Sequence, residues 1–167
     1  ARKAGVLVIY LVDANVFIEA KNRYYAFDLV PAFWAWLDKV VMGNVRTITM
    51  VRDELLVKDD PLGDWIRDRK DADWILPVDD EATQVAFTGI VSELEGAQYL
   101  RPGVEKFLSG ADPWLIAKAQ VLGATIVTHE VPDEHVKKRV PIPNLCASRD
   151  VPCMNTFDAM RQLQAKF

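Results

Sequence analysis

Apolar residues along this chain gather in short dense runs, and the first of them organises the rest. Val6-Leu7-Val8-Ile9-Tyr10-Leu11-Val12 is an unbroken apolar stretch, rich in β-branched side chains and too short for a bilayer. Such a run predicts a strand over 6–12, buried on both faces. It ends in Asp13-Ala14-Asn15, at the edge where an open α/β sheet places its ligand crevice. Asp13 has a structural reading too, as N-cap of a helix predicted over 16–20.

The pattern continues as alternating helices and strands. Pro31 opens an apolar helix to about residue 41, stopped by Gly43-Asn44, with aromatic residues on more than one face. Thr47 or Thr49 is placed to cap a helix over 50–58. Asp59-Asp60-Pro61 breaks the chain before a helix over 62–69. Trp74-Ile75-Leu76-Pro77 predicts a brief strand, which Pro77 confines to an edge. An amphipathic helix over 80–95 follows, with Val85, Phe87, Val91 and Leu94 among its apolar residues and Gly96 at its end. Asp112 at an N-cap, Pro113 inside the start and Gly123 beyond the end delimit another helix. It leads into an apolar strand over 124–128, the αβ half of a βαβ unit. Pro141 and Pro143 limit 140–143 to a short edge strand, and Asn144 and Asn155 are placed as helix caps. A closing helix is expected over 156–166. No repeat or linker interrupts this order, so one α/β domain over 1–167 is expected.

Composition narrows the classes. The chain has 167 residues, 50% hydrophobic and 26% charged, an ordinary globular balance rather than that of a disordered polyelectrolyte. The net charge of −4 does not suggest a dedicated nucleic-acid binder, although a metal-holding acidic cluster would mask basic residues elsewhere. No stretch reaches the length of a membrane span, and Asp13 stands where a signal peptide would need a small residue. Cys146 and Cys153 lack zinc-like partners and read as reduced thiols of a cytoplasmic protein.

Four acids fall at strand ends and helix starts: Asp13, Glu54, Asp112 and Glu130. If the strands before Asp13 and Glu130 are parallel neighbours, both acids emerge on one sheet edge, and the helix begun by Asp112 returns to it. Each acid alone has a structural explanation: a cap, a solvated helix charge, a loop charge. Together they would repel one another and take up protons unless a cation neutralised them. Hard oxygen donors without Cys or paired His suit Mg2+ or Mn2+.

Leu11-Val12-Asp13-Ala14-Asn15, Val51-Arg52-Asp53-Glu54-Leu55, Ala111-Asp112-Pro113-Trp114-Leu115-Ile116-Ala117 and Ile126-Val127-Thr128-His129-Glu130 resemble, in order, the acidic motifs of PIN domains. These are metal-dependent ribonucleases, many of them VapC-type toxins of bacterial toxin–antitoxin pairs. The opening Val12–Ile18 with Lys21-Asn22-Arg23-Tyr24-Tyr25 resembles one little-characterised branch, as do Ile142–Cys146 and Val151–Phe157. The resemblance implies a three-layer α/β/α sandwich around a short, mostly parallel sheet. It implies Asp13, Glu54 and Asp112 as ligands of Mg2+ or Mn2+, with Glu130 as a fourth acid where Asp is usual. Asn15 and Thr128 match polar positions that orient the acids or water. The implied activity is endoribonuclease hydrolysis of RNA leaving a 5′-phosphate and 3′-hydroxyl. The implied partners are the RNA substrate, a cognate antitoxin and a second copy in a homodimer.

Substrate contact is expected from Lys21, Arg23 and Tyr24 with Tyr25, and from Lys137, Lys138 and Arg139, where cations meet phosphate and rings stack on bases. Each cluster also reads as a solvated charge run. His129 beside the acids reads as a surface histidine rather than a base. An aspartyl phosphatase would need an acid where Asn15 stands, and no Gly-rich phosphate loop follows the first strand. A PIN-like module that binds RNA or protein without catalysis is the alternative, and it has no need of four repelling carboxylates.

Overall fold

The computed structural model describes residues 7–167. Five short parallel strands, β1 (Tyr10–Val12), β2 (Val45–Ile48), β3 (Ile75–Leu76), β4 (Thr125–Val127) and β5 (Cys153–Met154), form one sheet in the order β3-β2-β1-β4-β5. From β1 the chain moves outward through β2 to β3, then crosses back to β4 and on to β5. The carboxyl ends of β1 and β4 are therefore the topological switch point of the sheet, where ligand crevices of open α/β folds lie.

Side chains alternate across the strands. Tyr10, Val12, Val45 and Val127 face α1 (Ala14–Glu19), α2 (Pro31–Val40) and α9 (Thr156–Gln162), around a small apolar cavity of about 40 Å³. α4 (Pro61–Arg67) joins this layer through Trp65, whose ring packs on Phe17 and Trp34. Leu11 and Ile126, fully buried, point to the other face. There α7 (Asp112–Leu122) packs between α5 (Glu81–Glu95) and α8 (Ile142–Ser148). The result is the α/β/α sandwich expected from the sequence. Within the sheet, the hydroxyl of fully buried Thr47 on β2 donates to the Val12 carbonyl on β1 at 2.8 Å.

Several expectations are corrected. Of the strand expected over 6–12, Val6 lies outside the described residues, Leu7 and Val8 are exposed, and pairing begins at Tyr10. Helix α1, expected over 16–20, begins at Ala14 and continues into a π-helical turn, Ala20–Tyr24, which carries most of the 21–25 cluster. Neither Thr47 nor Thr49 caps α3 (Thr49–Leu56): residues 45–48 are consumed by β2, and Ile48 takes the cap position. On α5 the buried face is Thr83, Ala86, Ile90 and Leu94, while Val85 is exposed. Residues 142–148 are helical because Pro143 falls in the first turn, where a missing N–H goes unnoticed. Asn144 therefore sits inside α8, and its side chain ties down Asp133 and Tyr99 instead of capping. A further helix, α6 (Arg101–Ser109), occupies a stretch that the sequence reading left unassigned.

Candidate active site

Asp13 leaves β1 directly and is 1% exposed. It holds the N-cap position of α1, yet its carboxylate closes no capping hydrogen bond. Its Oδ2 instead accepts from the Thr128 hydroxyl at 3.0 Å, with the backbone N–H of Asn15 also facing it. The same Thr128 oxygen accepts the Glu130 N–H at 3.2 Å. One hydroxyl at the end of β4 thus fixes both Asp13 and the chain entering Glu130.

Asp112 is the first residue of α7 rather than its cap; Ala111 already has helical dihedrals, and Asp112 makes no capping bond. The Ala111 N–H is satisfied from another element, by Glu54 Oε1 of α3 at 3.0 Å. Glu130 receives the N–H of Ile142 at the start of α8 and stands 3.7 Å from the Arg139 guanidinium. Asp13, Glu54, Asp112 and Glu130 all line one cavity of about 340 Å³ with Asn15, Lys106, Lys138 and Arg139 on its walls.

The electrostatics follow from that crowding. Burial, then the charge of Glu130, pushes the Asp13 carboxyl up to about 7 against the opposing Thr128 hydrogen bond. Burial, then Asp13 and Glu54, pushes Asp112 up to about 7. Glu130 also rises to about 7, through burial and Asp112, with the Ile142 N–H and Arg139 opposing. Three carboxyls that each raise one another's value resist being charged together, and an added cation relieves that repulsion. Among the described residues no three His, Cys, Asp or Glu side chains are gathered tightly enough to hold an ion by themselves. The donor set is oxygen only, which fits Mg2+ or Mn2+ and not zinc.

Other expected site residues lie outside this cavity. Lys21 sits beyond Glu54 and Ile18 in a neighbouring cleft, paired with Asp60 at 2.8 Å. Arg23 pairs with Glu19 at 3.1 Å. Tyr24 is half exposed and packs edge-on against Phe157, with the His129 ring 6.1 Å away. His129 bonds the Thr156 hydroxyl at 3.0 Å, and burial holds its pKa below the usual value. It lines a second cavity, of about 290 Å³, on the far side of Glu130. Lys106 is the site residue that sequence reading missed. Its only signal would have been its spacing three residues after Gly103 in the unassigned helix.

The family described as Domain of unknown function (DUF4411) matches residues 10–167. No curated protein matches the sequence. Among solved structures, one described as VapBC2 from Rickettsia felis bound to a DNA fragment from their promoter is similar over 89% of this chain and 98% of that chain, at 15% identity and a TM-score of 0.57. Another, FitAcB from Neisseria gonorrhoeae, is similar over 89% and 99% of the two chains, at 18% identity and a TM-score of 0.51. The fold is PIN-like.

Proposed function

The chain belongs to the DUF4411 family, and for this member of it we propose a divalent-metal-dependent endoribonuclease, acting as the toxin of a toxin–antitoxin pair. The observation that carries the reading is the convergence of Asp13, Asp112 and Glu130, each pushed up to about 7, on one cavity at the sheet's switch point. Asp13 and Asp112 would hold Mg2+ or Mn2+, with Glu54 and Glu130 completing the shell through water. When bound, such an ion acidifies water and offsets charge developing on the phosphodiester. The residues of the chain do the rest. Thr128 orients Asp13, the Ala111 N–H restrains Glu54, and the Ile142 N–H aims Glu130. Asn15, exposed at the cavity wall, is placed to position water. Lys21 would extend the RNA track past Glu54, in competition with Asp60, while Arg23, in competition with Glu19, and Tyr24 would add contacts from the π-helical turn. The toxin role and a cognate antitoxin rest on the fold shared with VapBC2 and FitAcB, and a homodimer is the expected assembly.

Cleavage of a mixed RNA pool with Mg2+, with Mn2+ and with chelator tests the proposal, comparing wild type with Asp13→Asn and Asp112→Asn. Metal-dependent cleavage lost in both variants is the expected result; cleavage that survives chelator or either substitution refutes it. A second reading, an RNA- or protein-binding module without catalysis, is favoured by the absence of a tight three-ligand cluster among the described residues. Calorimetric titration with Mn2+ separates the two, because only the nuclease requires the ion to bind.

A further inference from the structure

The acidic cavity has a second wall of opposite sign, built by a backbone contact. The N–H of Leu100, the N-cap of α6, donates to the Lys137 carbonyl at 2.8 Å. One turn on, Gly103 is buried so closely against the 138–139 backbone that an added Cβ would collide with the Lys138 carbonyl oxygen. Residues 137–139 therefore lie as a strap on α6, in a contact that only glycine permits. Lys106 projects from the same helical face as Gly103, three residues later. The strap and helix together present Lys106, Lys138 and Arg139 to the cavity that the four acids line.

These cations differ from the ones nearer the N-terminus. Lys21 and Arg23 are engaged with Asp60 and Glu19. Among the described residues neither Lys106 nor Lys138 has an ion-pair partner, and Arg139 is more than half exposed with one long contact to Glu130. If the basic wall served only to neutralise the acids, its lysines would reach them. Instead Lys106 and Lys138 line the same cavity of about 340 Å³ as the acids without pairing to them, and of the three cations Arg139 alone approaches an acid, Glu130 at 3.7 Å. A ligand that is anionic toward one wall and reaches a cation held by the other fits that space: a phosphodiester.

We propose that α6 and the 137–139 strap form a phosphate clamp, in which Lys106, Lys138 and Arg139 grip the backbone of a single-stranded RNA across from the acids. The clamp rests on the ribonuclease reading for its choice of ligand but needs no metal to bind it. Anisotropy of a fluorescein-labelled single-stranded RNA oligonucleotide, titrated in EDTA over a salt series, therefore tests it separately. For single strands each phosphate contact contributes a slope of about −0.7 in log K against log salt, roughly tenfold in affinity per contact near 50 mM. The double variant Lys106→Gln/Lys138→Gln should flatten the slope by about 1.4 and weaken binding by close to a hundredfold at that salt. Lys137→Gln, which removes a like charge from the strap outside the cavity lining, should change the slope by less than half as much. Gly103→Ala, which alters no charge but dislodges the strap, should weaken binding in the same direction as the double variant. Wild-type binding and slope retained in the double variant, an equal effect from Lys137→Gln, or no RNA binding by the wild type would each overturn the clamp. A Mn2+ titration of the wild type alongside keeps the two readings apart: a lysine-dependent slope without Mn2+ binding refutes the nuclease and leaves the clamp standing.

Discussion

Replacing Asp13 by Asn should make the metal-free protein more stable at alkaline pH, although it deletes a fully buried residue of the site. Asp13 has an ordinary carboxyl value of 3.8 and is pushed up to about 7 in the fold. A folded value raised above the unfolded one leaves stability intact below the unfolded value. Stability is then lost as pH rises through the folded value, because the unfolded chain releases its proton first. At roughly 1.4 kcal/mol per pH unit, the charged Asp13 costs the fold about 4 kcal/mol above pH 7. The Asn variant keeps an acceptor for the Thr128 hydroxyl, but its amide N–H₂ introduces donors that cost about 1–2 kcal/mol where they go unpaired. The net gain at pH 8.5 is about 2 kcal/mol, near 5 °C in Tm for a chain of this size. At pH 5.5 the unfolded carboxyl is already ionised while the folded one is not, so roughly half of that cost is present and the amide penalty cuts the net gain to less than about 1 kcal/mol. Thermal melts by circular dichroism in EDTA at the two pH values read this directly. Saturating Mn2+ at pH 8.5 should raise the wild-type Tm and leave that of the variant nearly unmoved. A variant less stable than wild type at pH 8.5, or a Tm difference that does not grow with pH, would refute the electrostatic reasoning.

Other outcomes follow from individual contacts. Thr128→Val removes the hydrogen bond that opposes the rise of Asp13, so the acidic limb of the cleavage pH profile should move to higher pH and the rate should fall at least tenfold at pH 7; an unmoved limb counts against Thr128 as the orienting group. Thr47→Val deletes a fully buried hydroxyl bonded to the Val12 carbonyl and should lower stability by about 1–2 kcal/mol in urea unfolding. Gly123 adopts φ 65° at the end of α7, so Gly123→Ala should cost about 1 kcal/mol with cleavage per folded molecule unchanged.

What could be read from the sequence was local in its causes. Gly123 closing α7, the apolar run of β4 and the Pro77-limited edge strand β3 each carry their own stop signal, and each appears where expected. Asn155 caps its helix through its side chain, as expected. What escaped notice depends on distant partners. β2 reads Val-Arg-Thr-Ile and β5 only Cys-Met; both are strands because neighbours supply their hydrogen bonds, not because four or two residues have a periodicity. Helix α6 hides behind Arg101-Pro102-Gly103, where proline suits the first turn and glycine is demanded by the strap lying on it. Asp13 and Glu130 were legible because they follow strands and Asp112 because it begins a helix, whereas Glu54, well inside α3, was legible through its place in the ordered motifs. Lys106 was not, since its relation to Lys138 exists only after the chain has crossed the sheet.

The pairing of β1 with β4, Tyr10 opposite Thr125, also sets when the molecule acquires its chemistry during synthesis. Contacts of such long sequence separation form late and slowly. A growing polypeptide on the ribosome holds Asp13 and Glu54 long before the strand that brings Thr128 and Glu130 beside them has left the exit tunnel. A site assembled in this order stays incomplete until most of the chain has emerged, and no contiguous half of the sequence holds all four acids.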